Sequence, residues 1–256
     1  MKKLVTRVIP ILLLKNRGLY KGVRFKKHQY IGDPINTVKL FNEKYVDELI
    51  ILDVEATKNN KIDFELLQEI ASEAFMPMGY GGGIKCIEDV RRLFSIGFEK
   101  VLLNTVCYND NYSLAKDIAG EFGSQSLVAC VDVKKKLRRY VCYSNSGKKK
   151  EKIALETHIK NLLAAGIGEL VISDISCDGM MNGYNLSLIK NVSENLPIPL
   201  VASCGAGSLD NMVDAKENGA NACAAGSMFV YKGEHRGILI NYPEYSKLLN
   251  ILGEEI

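Results

Sequence analysis

The chain repeats itself. Pro77 and Pro199, Gly83 and Gly205, Gly97 and Gly219, and Thr105 and Ser227 are pairs of like residues, each 122 positions apart. Glu48-Leu49 and Asp53 return as Glu169-Leu170 and Asp174 at a spacing of 121. Matches in this order, at nearly one offset, describe a unit of almost half the 256 residues copied once. A chain of that kind folds into two similar halves that bury a shared core against each other.

Within each half, short β-branched runs alternate with helical patterns, as in parallel strands joined by crossover helices. Strands are predicted near residues 5–13, 48–53, 76–80, 100–104, 126–132, 169–174, 199–203 and 222–226. Asp33-Pro34 supplies a helix cap followed by proline at the first helical position, and Ser208 or Asp210 can cap a helix running to Glu217. Four strand-helix units copied once make eight. The expected fold is a single α/β domain over residues 1–256, a (β/α)8 TIM barrel with half-barrels at roughly 1–123 and 124–256. The stretch from Lys134 to Glu151, rich in lysine around Arg138-Arg139, reads as irregular and is best taken as a solvated hairpin. A mobile basic loop closing over an anion is the alternative.

Composition narrows the function. A net charge of +3 is too small to imply nucleic acid and does not oppose a phosphorylated ligand. No apolar run reaches the ~18 residues that a membrane-spanning helix needs. The opening Met1-Lys2-Lys3-Leu4 lacks a cleavable signal pattern. Seven scattered cysteines without a CxxC point away from disulfides and toward a reducing cytosol. His28, His158 and His235 stand apart, so neither a metal nor another cofactor is expected.

Barrels bind ligands where strands end. Gly81-Gly82-Gly83-Ile84 follows the third strand and Asn104-Thr105 the fourth. Cys204-Gly205-Ala206-Gly207 and Gly226-Ser227 follow the seventh and eighth, with Asp178-Gly179 after the sixth. Glycine lets backbone N–H groups approach phosphate oxygens, and a hydroxyl or amide adds a donor. Two such clusters suit a long ligand with a phosphate at each end. Asp53, Asp132, Asp174 and Asp178 are the carboxylates near strand ends, and Asp132 is the best acid–base candidate. Its counterpart in the first half is Leu13, which cannot carry a proton. At the opposite rim stand Arg7, Glu48, Lys100 and Glu169. Two bases and two acids can form either a stabilising plug or a gate for a small molecule.

From about Arg7 to about Phe229 these motifs resemble the cyclase subunit of imidazole glycerol phosphate synthase, the HisF family. The matching stretches include Gly32-Asp33-Pro34, Asp47-Glu48-Leu49, Phe122-Gly123-Ser124-Gln125, Ser146-Gly147-Lys148-Lys149 and the glycine clusters above. The resemblance implies a substrate with two phosphates and a HisH-like glutaminase on the N-terminal face that feeds ammonia along the barrel axis. It matches the gate charges to Arg7, Glu48, Lys100 and Glu169, and the substrate lysine to Lys21. It further implies phosphate or substrate contacts at Asp53, Gly83, Asn104, Thr105, Asp178, Gly179, Gly205, Gly226 and Ser227. Ring closure in the family uses two opposed aspartates; Asp132 fits one position and Leu13 stands at the other. Cys204 also departs, standing where the cyclases carry glycine.

Leu12-Leu13-Leu14-Lys15 resembles a HisF-like branch tied to acetamidino modification of surface sugars. The expectation is therefore a subunit that supplies ammonia to a separate sugar amidotransferase. A working histidine-pathway cyclase is the alternative, and a non-catalytic scaffold that activates its glutaminase is the third.

Overall fold

The computed structural model describes residues 3–59, 61–137 and 139–255. Arg138, part of the basic run, and Met1-Lys2 of the opening segment lie outside the described residues. Among the described residues, eight parallel strands form the barrel: β1 Arg7–Lys15, β2 Leu49–Asp53, β3 Met78–Gly81, β4 Lys100–Leu103, β5 Leu127–Lys136, β6 Glu169–Asp174, β7 Leu200–Ser203 and β8 Ala222–Ala225. Each pairs with the next, and β8 pairs with β1, so no edge remains. The expected (β/α)8 barrel is the fold.

Period-two alternation decides which residues reach the axis. On β1, Val8, Leu12 and Leu14 are buried in the layer between barrel and helices, whereas Ile9 and Ile11 belong to the core inside the barrel. Ile50, Leu102, Val128, Val171, Val201, Ala222 and Ala224 share that inner core with Ile9. Each inward face thus runs from a rim residue, through apolar layers, to a residue at the mouth. Arg7, Ile9, Ile11 and Leu13 trace one such line; Glu169, Val171 and Ser173 trace another. Nearly continuous apolar strands follow because both faces are covered.

Both helix starts signalled in the sequence are present. Asp33 caps Pro34–Glu43 by accepting from the Asn36 N–H at 2.9 Å. Of the two candidates for the later helix, Ser208 is the cap, in a reciprocal pair with Asn211, and Leu209–Glu217 is the helix. Positions related by the repeat do equivalent work: the Leu49 N–H donates to Pro77 O, and the Leu170 N–H to Pro199 O, each at 3.0 Å.

Among the described residues, two of the hairpins extend barrel strands. The stretch read as irregular is an antiparallel ladder, with β5 running to Lys136 and pairing with Arg139–Ser144, which pairs with Lys149–Ala154. Lys134 and Lys135 lie over the rings of Tyr143 and Tyr140, which lets the basic run sit on a regular sheet. The other hairpin, Gly18–Val23 with Lys26–Gly32, extends from β1 through the pair Leu13 and Tyr20. The sequence reading contains no strand there.

Candidate active site

A cavity of about 450 Å³ opens at the C-terminal ends of the strands. Its wall includes both glycine clusters, Asn104, Thr105, Asp132, Lys21, Asp178, Gly179, Gly226 and Ser227, and Leu13. Residues nominated from distant parts of the chain therefore share one space. Leu13 faces into it, so the β1 side of the mouth is apolar where the β5 side carries a carboxylate.

Asp132 is buried and accepts from Asn104 Nδ2 at 2.9 Å. Desolvation pushes its pKa up to about 7, against the opposing pull of hydrogen bonding from Ser173 and Asn104 and with a further push from Asp178. A carboxyl poised at neutrality can both give and take a proton. The other carboxylates are engaged. Asp178 pairs with Lys21 at 2.6 Å and accepts from the Phe25 N–H at 3.1 Å. Asp53 accepts from the N–H groups of Glu55 and Ala56, holding its own loop, although burial raises its pKa. Asp174 accepts from the Ser176 N–H and from Asn185 Nδ2 at 2.6 Å, and does not line the cavity.

The two glycine clusters take up backbone conformations that side chains resist. Gly205 has φ +121°, and a Cβ there would lie 2.1 Å from Gly183 O. Gly179 has φ +72°, and a Cβ would lie 2.4 Å from Gly22 O, so this glycine lets the β6 loop touch the first hairpin. Cys204, beside Gly205, adopts φ +73° despite its side chain. Burial drives the Cys204 thiol well above its ordinary pKa. Ser227 Oγ is buried on the cavity wall with no hydrogen-bond partner among the described residues, and Asn104 Oδ1 shares that condition. Buried polar atoms left open at a cavity are places for a polar ligand. Thr105 Oγ1 instead accepts from the Asn145 N–H at 3.0 Å, which ties the second hairpin to the mouth.

Phe25, His28, Asn145 and Ser146 also line the cavity, and none was nominated as a site residue. Asn145-Ser146-Gly147 carries a turn signal that marks a loop near the mouth. The Arg24-Phe25 turn carries none, which hid the first hairpin.

At the other end of the barrel the four rim charges meet. Arg7 contacts both Glu48 and Glu169, the first at 2.5 Å. Lys100 Nζ lies 2.9 Å from Glu48 and 3.0 Å from Glu169. Each base bridges both acids, giving a closed neutral ring across the axis. Both glutamates are buried.

Fold and cavity together define a (β/α)8-barrel protein of the kind that works at the C-terminal ends of its strands. Residues 7–236 match the family model described as histidine biosynthesis protein. The chain is 44% identical over 245 residues to a putative imidazole glycerol phosphate synthase subunit hisF2 of Pseudomonas aeruginosa, covering 94% of this chain and 97% of that protein. It is 42% identical to a putative subunit HisF of the same synthase from Leptospira borgpetersenii, covering 93% and 94%. Against the imidazole glycerol phosphate synthase subunit HisF of Dictyoglomus thermophilum it is 36% identical, covering 98% and 97%. The chain belongs to the HisF family of histidine biosynthesis proteins.

These relatives correct the surface-sugar expectation. Eight relatives, 34% to 44% identical, carry the synthase name, and none of those names refers to a glycan or an amidino sugar. The physical reason is plain. Leu13 changes one side chain of the mouth and leaves the rest of the cavity wall and the charge ring in being, so it carries no information about a sugar acceptor. The separate sugar amidotransferase falls with it. No helix of the described residues is long and apolar enough to cross a membrane.

Proposed function

We propose that the chain is the ring-closing subunit of an imidazole glycerol phosphate synthase, working in the cytosol as one barrel domain over residues 1–256. In this reading it takes a substrate with a phosphate at each end and ammonia from a HisH-like glutaminase seated on the N-terminal face. One phosphate lies against Gly83, Asn104 and Thr105, with Asp53 shaping the adjoining loop. The other lies against Gly179, Gly205, Gly226 and Ser227, where Lys21, fixed by Asp178, supplies positive charge.

The observation that carries the reading is Asp132: a buried carboxyl with its pKa near 7, on the wall between the two glycine clusters. Nitrogen loses protons and a leaving group gains one as a ring closes, and a group half-protonated at working pH is able to serve either step. Ammonia enters through the ring of Arg7, Glu48, Lys100 and Glu169 when its ion pairs part, then passes the apolar layers to the mouth. The supporting feature is the apolar core above the ring, which neutral ammonia crosses more readily than ammonium.

The test uses purified protein, the bisphosphate substrate and ammonium salt, which removes the need for a partner. Turnover above that of Asp132→Asn is expected; equal rates would end the proposal. Growth of a histidine auxotroph lacking its cyclase, restored by this chain, is the matching result in cells.

A further inference from the structure

Leu13 leaves the β1 side of the mouth without a proton carrier, and the cavity offers one replacement. The other acids of the wall, Asp53 and Asp178, are held by backbone N–H groups and by Lys21. The thiols of Cys130 and Cys204 are driven well above their ordinary range by burial. His28 lines the same cavity and is half-buried. It stands on the hairpin that continues from β1, whose strand pairs Leu13 with Tyr20 and Tyr20 with Tyr30. Its ring rests on the neighbour of Lys21, because a Cβ at Gly22 would come within 2.6 Å of His28 Cδ2. None of the hydrogen bonds among the described residues engages the imidazole, so both its nitrogens can serve a ligand.

We infer that His28 is a further catalytic residue, the second proton-transfer group of ring closure, in place of the carboxylate absent at Leu13. The inference rests on the cyclase reading above. As the ammonia nitrogen uses its lone pair to bond to substrate carbon, neutral His28 takes the proton that nitrogen sheds. Protonated Asp132 gives its proton to the heteroatom that carbon releases. Net transfer of one proton from imidazolium to carboxylate, through solvent, restores both groups. His28 is faced by Lys15 on β1, Lys21 on its own hairpin, Lys148 after the second hairpin's turn, and Asp178 on the β6 loop. Burial, then Lys15 and Lys21, hold its pKa below the ordinary 6.5, with Asp178 opposing and Lys148 assisting. The imidazole is therefore neutral at pH 7, the form a base requires.

The experiment measures kcat and KM against pH, with ammonium salt, for the wild type, His28→Gln, His28→Asn and Leu13→Asp, and for Leu13→Asp combined with His28→Gln. The wild-type rate should fall on the acid side as His28 gains its proton. Either His28 variant should lower kcat about 10²-fold with KM little changed, and should lose that acid limb. Leu13→Asp should rescue His28→Gln. A rise in KM with kcat intact would make His28 a phosphate contact and overturn the inference, as would an unchanged acid limb or an equal loss with Asp at position 13. Turnover by the wild type with no effect of His28 removes this inference alone. No turnover by the wild type removes the cyclase reading and this inference with it.

Discussion

The two ends of the barrel treat polar groups in opposite ways. At the N-terminal rim two acids and two bases satisfy one another completely, each cation touching both carboxylates. At the mouth, Ser227 Oγ and Asn104 Oδ1 are buried with no partner among the described residues, and Asp132 sits with its pKa near 7. Taking charges out of water costs about as much as close pairing returns, but a buried polar group left unpaired carries its whole desolvation penalty. The rim groups are therefore closed on one another, while the mouth keeps polar groups open to a ligand.

The strongest test of that division is Asp132→Asn. Loss of a positioned proton carrier should lower kcat by about 10²–10⁴-fold while the fold stays intact, read by steady-state kinetics beside a thermal melt. An equally large loss from removing a rim charge, with ammonium as the nitrogen source, would erase the distinction between the ends.

The same residue should show the cost of its position. Its folded-state pKa of about 7 lies above the ordinary 3.8, so the folded chain keeps a proton that the unfolded chain has released. The sign follows: the penalty is absent below pH 3.8, grows as pH rises toward 7, and is constant above. Its ceiling is about 4 kcal/mol at 1.36 kcal/mol for each pH unit. Asp132→Asn should thus be more stable than wild type at pH 8 and nearly equal at pH 4, measured by urea denaturation. A variant less stable at pH 8 would mean that Asp132 belongs to the scaffold.

Lys100→Ala comes next. It leaves two buried glutamates sharing Arg7, and the Lys100 side chain is partly exposed, so the loss should be about 1–3 kcal/mol by thermal melt. With a glutaminase bound, the ratio of product formed to glutamine consumed should fall. A change in stability alone would make the ring a plug.

The smallest effect belongs to Ser227→Ala. Its hydroxyl has no partner to lose among the described residues, so stability should hold. Inorganic phosphate, read by calorimetry, should bind about tenfold more weakly, the worth of one hydrogen bond to a charged group. Unchanged binding would place the second phosphate elsewhere.

Much of the barrel was legible in the chain. All eight strands fall within a few residues of their predicted positions, except β5, which runs on from residue 132 to Lys136 because a hairpin partner extends it. The glycine clusters were visible because turns at positive φ favour glycine. The first hairpin was not. It turns at Arg24-Phe25, with φ of +54° and +59°, where sequence rules look for asparagine and glycine. That turn is held from outside, by the Arg24 N–H donating to Asp178 O and the Phe25 N–H to Asp178 Oδ2. A residue 154 positions later sets it, and local propensity cannot report that.

The sequence alone determined the alternation of strands and helices, the doubling of the unit, and which residues stand at strand beginnings and ends. Those are local or periodic properties, written in neighbouring residues. The tertiary structure decided that β8 meets β1, that four rim charges from separate strands touch in one ring, and that Asp132 is desolvated while Asp174 is tied to its own loop. Each depends on distances between residues far apart in the chain, and on how much water the packed barrel leaves around them.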